Sequence, residues 1–215
     1  EECYLDTPWE GQPSRKTKRY SVPAVPSSEE EITAAKSRGV SFIPHRVDVY
    51  WGQTVAEYAL GMTICGLRRI PQNYEAMQKS QKPWDYSPES ITTGVRGAQF
   101  GDDSRFINGT IAGKRIRVVG AGNIGARYAS WCSAIGADVA IWDPFAPDAT
   151  FRVAGTERRF HVEELVVDSD IFVPMVPLTD STRGLITAEL INMLPMNSLV
   201  VQVTRARICD TEALY

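Results

Sequence analysis

Histidine is scarce in this sequence: 215 residues contain two, His45 and His161. Cysteine is nearly as thin, with Cys3, Cys65, Cys132 and Cys209 scattered at no CxxC or other metal-type spacing. No metal site is expected from such a set. The scatter also gives no disulfide framework, which suits a reducing compartment. Cys65 and Cys132 fall inside apolar helical patterns, where a thiol behaves as a small buried hydrophobe. No apolar run reaches the roughly 20 residues a membrane helix needs. The opening EECYLDTPWE lacks the basic and apolar regions of a secretory signal. A cytoplasmic protein is therefore expected. Excess positive charge is missing too: 23 Lys and Arg stand against 26 Asp and Glu, a net −3. Neither nucleic acid nor an anionic membrane is expected as a partner on that balance. The one basic cluster, SRKTKRY, lies in a proline-punctuated stretch and reads as a solvated arm.

What is present is an ordinary globular composition, 43% hydrophobic and 23% charged. The length suits one domain plus part of another. Residues 1–27 show no period. SSEEEITAAKSRG reads as a short helix with Ser28 and Glu31 as a capping box, and VSFI as a strand. A second capping box, Thr54 with Glu57, opens the helix TVAEYALGMTICGLRR, whose all-round apolar surface predicts burial. Gly61 and Gly66 would let another helix approach closely. Pro71 suits the first turn of the helix PQNYEAMQKSQ, and residues 82–113 read as a loop or arm. From residue 115 strands alternate with helices: RIRVVG, then NIGARYASWCSAIGA, with Ile124, Tyr128, Trp131 and Ile135 on one face. DVAIWD, RRFH, VEELVVD, DIFVPM, TAELINML and SLVVQV follow. Such alternation predicts right-handed crossovers and a doubly wound parallel sheet of Rossmann type. The expected domains are a remnant of a second, incomplete domain over 1–50 and the doubly wound domain over 51–215.

VVGAGNIGARYASW carries G-x-G-x-x-G at Gly120, Gly122 and Gly125 between a strand and a helix. In that context Gly120 allows the tight turn, Gly122 lets a pyrophosphate reach the backbone, and Gly125 packs helix on strand. The helix start at Asn123 and Ile124 offers N–H groups and the positive dipole end to phosphate. Asp143 ends the next strand, about 20 residues on, where a carboxylate accepts from both ribose hydroxyls and repels a 2′-phosphate. No Arg or Lys adjoins it in WDPFAPDA, so NAD is favoured over NADP. A bare Rossmann-like turn, or one holding another adenosine-containing cofactor, is the alternative.

GQTVAEYALGM, IAGKRIRVVGAGNIGARYASWCSAIGADVAIWDP, DIFVPMVPLTDSTRGLI and VVQVTRARICDTEAL together resemble the D-isomer-specific 2-hydroxyacid dehydrogenases, from about residue 29 to 214. The resemblance implies an NAD-dependent oxidoreductase interconverting a 2-oxo acid and a D-2-hydroxy acid, with the second domain holding substrate. It makes Arg205 the catalytic arginine that binds the substrate's carboxylate and carbonyl oxygen. It places Val176 and Pro177 near the adenosine, Val203 and Thr204 near the nicotinamide, and Val55 at the start of the interdomain helix. A homodimer is implied through residues 54–70 and 71–113. Two departures stand out: RAR replaces the usual RG, adding Arg207, and Met175 stands where many members have histidine.

The resemblance also implies a general acid/base histidine and an orienting glutamate beyond the arginine. His45 and His161 both precede Arg205 and match no such motif, so both are expected to be structural or solvent-facing. Asp210 looks like an N-cap followed by barely one turn, TEALY, and a sixth strand is lacking. The polypeptide is accordingly expected to continue past Tyr215 and to begin before Glu1, with these residues alone inactive. A catalytically inactive NAD(H)-binding sensor or scaffold is the alternative function.

Overall fold

Each apolar segment after residue 115 is followed by a helix that returns the chain to the same sheet edge, so the strands pair in parallel. The computed structural model describes residues 33, 37, 38, 52–85, 102, 103 and 105–214. The chain divides into two units, Glu1–Tyr50 and Trp51–Tyr215, and the elements named below belong to the second. The strands are β1 Arg115–Val119, β2 Asp138–Trp142, β3 Glu157–Arg159, β4 Ile171–Pro174 and β5 Leu199–Val200. They run in the order β3-β2-β1-β4-β5, all parallel. Val119 lies opposite both Trp142 and Pro174, so the ends of β1, β2 and β4 converge where the order reverses.

The helices are α1 Gly52–Arg68, α2 Ile70–Lys79, α3 Gly125–Ala134, α4 Asp148–Ala154, α5 Val162–Val167 and α6 Ala188–Asn192. Strand residues alternate between two cores, as a period of two requires. Ile116, Val118, Val139, Ile141, Ile171 and Val173 pack with Ala56, Ala59, Tyr128 and Cys132 of α1 and α3. Val119, Ala140 and Phe172 pack on the other face with Leu165, Leu190 and Ile208. Both faces are thus covered, as in other parallel sheets.

At the N-terminal edge of the sheet, Arg117 is almost wholly buried and donates to Asp138 Oδ2 (3.0 Å) and Asp168 Oδ2 (2.6 Å). Arg115 pairs with Asp168 Oδ1 at 2.6 Å and Asp170 Oδ1 at 2.7 Å. Burial alone would raise both aspartates, but hydrogen bonds and positive charge outweigh it, from Arg117 and Arg115 at Asp168 and from Arg115 and Lys114 at Asp170, and hold both below the usual carboxylate range.

Several expectations change. α1 begins at Gly52, so Thr54 lies within its first turn and is not the cap. Only one face of α1 is buried; Tyr58 and Met62 are exposed. A Cβ on Gly66 would meet Leu199 Cδ1 of β5 at 2.8 Å, so its close neighbour is a strand side chain, whereas Gly61 opens onto empty space. The buried face of α3 is Gly125, Tyr128, Ala129 and Cys132, and Ile135 is exposed beyond its end. β3 runs over 157–159, slightly before the expected RRFH, and β5 keeps two residues of SLVVQV. α4 was not expected at all. It starts after Pro147 and stops at Gly155, whose φ of 65° is the left-handed cap. A 3-10 turn at Lys82–Trp84 interrupts the expected loop. Thr33 and Ser37 are helical; the rest of that expected helix, VSFI, Cys3 and His45 lie outside the described residues.

Candidate functional site

The glycine turn links β1 to α3, and its three glycines meet three different surroundings. Gly120 has φ 104°, and a Cβ there would stand 2.9 Å from Val176 Cγ1 and 3.0 Å from Met175 O. Only glycine takes that backbone without strain. A Cβ on Gly125 would lie 2.0 Å from Gly120 O, so helix and strand could not close on each other. At Gly122 nothing lies within 4 Å, which leaves the backbone open to an approaching group. The turn feeds directly into helix, with Ala126 N donating to Gly122 O and Tyr128 N to Ile124 O, both at 2.9 Å. Asn123 and Ile124 thus occupy the positive end of α3.

Asp143, just past β2, is held by three main-chain amides. Ala121 N donates to Oδ2 at 2.7 Å; Phe145 N and Ala146 N donate to Oδ1 at 2.9 and 3.1 Å. A carboxylate offers about four acceptor directions, so one on Oδ2 is left for an incoming hydroxyl. The expectation of hydrogen bonds to both ribose hydroxyls is reduced accordingly. These surroundings fit a dinucleotide: open backbone at Gly122, a helix start, and a fixed carboxylate in hydrogen-bond contact with the turn.

Sequence adjacency also missed a cation. β3 aligns Arg158 with Ile141 and brings its Nη2 to 3.4 Å from Asp143 O. Its Nη1 is committed to the Asp148 carboxylate, so its charge is already matched there. NAD remains favoured at this position.

On the other side of the switch, the loop after β4 places Val176 against Gly120, half-buried, and Pro177 exposed. Met175 is buried and extends the ladder through Met175 N to Val119 O at 2.8 Å. Thr204 Oγ1 donates to Pro174 O at 3.2 Å, tying the segment after β5 to the end of β4. Val203 packs partly buried against the α1 and α3 core. Arg205 is exposed, with no ion pair to Asp210 or Glu212 recorded among the described residues. Asp210 instead accepts from Glu212 N and Ala213 N. Gln202 donates to Arg205 O at 3.0 Å and Ala206 O at 3.3 Å, bracing the arginine's turn. Its signal in the sequence was a lone amide inside an apolar run. Val55 lies half-buried in the first turn of α1, near Gly52, where a Cβ would come within 3.2 Å of Asn123 Cβ. His161 is exposed at the start of α5.

An open cleft of about 400 Å³ lies elsewhere, between Ile64, Leu67, Arg68, residues 109–111 and Ile135. Ile135 marks the far end of α3, about 15 Å of helix from the glycine turn. Among the described residues no three His, Cys, Asp or Glu side chains are placed to hold a metal, and no helix is long and apolar enough to cross a membrane.

The sequence matches, over residues 60–215, the family described as D-isomer specific 2-hydroxyacid dehydrogenase, NAD binding domain. It is 28% identical over 187 residues to D-3-phosphoglycerate dehydrogenase of Methanocaldococcus jannaschii, covering 86% of this chain and 31% of that protein. It is 25% identical over 185 residues to hydroxypyruvate reductase of Thermotoga maritima, covering 86% of this chain and 52% of the relative. The fold resembles apo D-lactate dehydrogenase of Escherichia coli with a TM-score of 0.64 at 24% identity, over 85% of this chain and 51% of that one. The chain therefore spans between about a third and a half of these proteins' lengths.

Proposed function

The chain belongs to the D-isomer-specific 2-hydroxyacid dehydrogenase family, and from that membership we propose that the protein interconverts a 2-oxo acid and a D-2-hydroxy acid with NAD(H). The observation that carries the reading is convergence on one sheet edge: the glycine turn after β1, Asp143 after β2, and exposed Arg205 after β5. Ligands of open parallel sheets bind beyond the carboxyl ends of the strands, which is this edge.

NAD(H), when bound, supplies or accepts the hydride. The residues of the chain do the rest. The open backbone at Gly122 and the start of α3 receive the pyrophosphate, and Asp143 Oδ2 accepts from a ribose hydroxyl. Val176 and Pro177 border the adenosine, Val203 and Thr204 border the nicotinamide half, and Val55 contributes a cofactor contact from the start of α1. Arg205 holds the substrate carboxylate and stabilises negative charge growing on the carbonyl oxygen, a task suited to an always-charged planar donor. Gln202 fixes the main chain on which Arg205 is mounted.

The proposal extends to architecture and setting. Residues 1–50 belong to the substrate domain and 51–215 to the NAD-binding domain, which binds NAD(H). Two copies pair through α1 and the segment after it. The free thiols of Cys65, Cys132 and Cys209 support a reducing, cytoplasmic location.

The test uses the full-length protein. NADH fluorescence should change on binding, and NADH absorbance should fall when glyoxylate, pyruvate or hydroxypyruvate is added. Arg205→Ala should lower kcat/KM by at least about a hundredfold while NADH binding persists. Equal turnover in the variant would remove Arg205 from the mechanism, and no oxidation with any 2-oxo acid would sink the dehydrogenase reading.

A further inference from the structure

Arg158 joins the two ends of the loop that carries Asp143. Its Nη1 pairs with the carboxylate of Asp148, the loop's last residue and the first of α4, and its Nη2 is 3.4 Å from the carbonyl oxygen of Asp143, the loop's first residue. The guanidinium is stacked between two rings, 5.0 Å from the Phe151 centroid and 5.2 Å from that of Phe160. Trp142 Nε1 donates to Phe160 O at 3.2 Å, binding the ends of β2 and β3 together beside it. The side chain is three-quarters buried, so this is a fixed strut and not a waving surface cation.

The strut matters because Asp143 has so little freedom left. With three of about four acceptor directions taken by Ala121, Phe145 and Ala146, the remaining one must point at the ligand or be useless. That direction is set by the main chain of residues 143–148, and Arg158 sets that main chain from outside. It also matches the charge of Asp148, a second acid close to the first.

We propose that Arg158 is a positioning residue for the adenosine half of the dinucleotide: it closes the loop from Asp143 to Asp148 so that Asp143 Oδ2 meets a ribose hydroxyl. This rests on the dinucleotide reading above. It gives the cofactor site a support that lies 15 residues from Asp143 in sequence and touches no ligand itself.

The experiment compares full-length wild type with Arg158→Met, which keeps an unbranched chain between the two rings but has no donor. NADH and ADP-ribose, followed by fluorescence and competition, should each bind about tenfold more weakly, the effect of losing one charge-assisted hydrogen bond. Reduced nicotinamide mononucleotide, which lacks the adenosine, should bind as to wild type, and kcat at saturating NADH should stay within about twofold. Arg158→Lys, reaching one partner only, should fall between. Asp148→Asn, at an exposed position, should show the same split at smaller amplitude even if Arg158→Met folds poorly. Unchanged ADP-ribose affinity in both Arg158→Met and Asp148→Asn, or an equal loss for both halves of the cofactor, overturns the proposal. Failure of wild type to bind NADH overturns the dinucleotide reading itself, and that outcome is visible before any variant is made.

Discussion

Thr63 Oγ1 lies 2.8 Å from Ala59 O and 2.8 Å from Tyr128 Oη, in the buried seam between α1 and α3. A hydroxyl has one proton, and a carbonyl can only accept it, so Thr63 donates to Ala59 and Tyr128 donates to Thr63. The two ends of this bond are therefore unequal. Thr63→Val leaves the buried Tyr128 hydroxyl with only the Cys132 thiol, a weak acceptor, and should cost about 1–3 kcal/mol, whereas Tyr128→Phe leaves Thr63 bonded to Ala59 and should cost about 1 kcal/mol or less. Urea denaturation of the two variants checks the order; equal losses would contradict the assigned donor. Burial holds the Tyr128 phenol well above its ordinary value and pushes the Cys132 thiol up to about 12, so both stay protonated at neutral pH. At this scale the sequence was most readable where the demand is steric and local. Gly120 and Gly125 each answer a steric requirement of their own turn, whereas a Cβ on Gly122 would meet nothing. Arg158 was not readable, because its reach to Asp143 exists only once β2 and β3 pair with Ile141 beside Arg158.

Among the elements, β1 carries its burden of charge at the edge opposite the glycine turn. Removing Asp168 leaves the buried Arg117 with only the mostly exposed Asp138 as a carboxylate partner. Asp168→Asn should destabilise by about 2–3 kcal/mol, less than a fully buried pair would lose because Asp168 is 34% exposed. The sign of the pH dependence follows from the depressed values of Asp168 and Asp170. Their stabilisation is present above the unfolded-state value near 4 and is lost as pH falls below it through the folded-state values. Urea midpoints measured between about pH 5 and pH 3 should therefore fall less steeply in Asp168→Asn than in wild type. Parallel slopes would remove Asp168 from the acid response. The strands of this core were legible because β4, most of β2 and the Val118–Val119 end of β1 are apolar and alternate with helical segments. α4 was not, since seven residues give too short a period and its limits are backbone events at Pro147 and Gly155. The burial of α1 was overread because an apolar residue count does not say which face has a partner.

For the whole molecule, the face of α1 that meets no other described element is the clearest surface feature. Tyr58, Gly61, Met62 and Cys65 recur at helical spacing on α1; Tyr58 is 62% exposed, Met62 43%, and a Cβ on Gly61 would meet nothing. Contiguous apolar surface of this kind marks an interaction site. If it pairs two copies, full-length protein should elute as a dimer and Met62→Glu should shift it toward monomer at micromolar concentration; an unchanged elution volume would place the interface elsewhere. The parallel order of the sheet could be foreseen from alternation alone, while pairing of copies through residues 54–70 and 71–113 was implied only by the family resemblance, since no single chain contains its partner. One detail of the site also bears on how such a protein could change over generations. In the dinucleotide site proposed above Asp143 would repel a 2′-phosphate, and it also receives the amides of Ala121, Phe145 and Ala146. A substitution that admits the phosphorylated nucleotide would at the same stroke unfasten the glycine turn from its neighbour and orphan three main-chain donors. On that proposal nucleotide choice is welded to the folding of the loop that makes it, so a switch of coenzyme would pass through a less stable ancestor or arrive with its repair already in place.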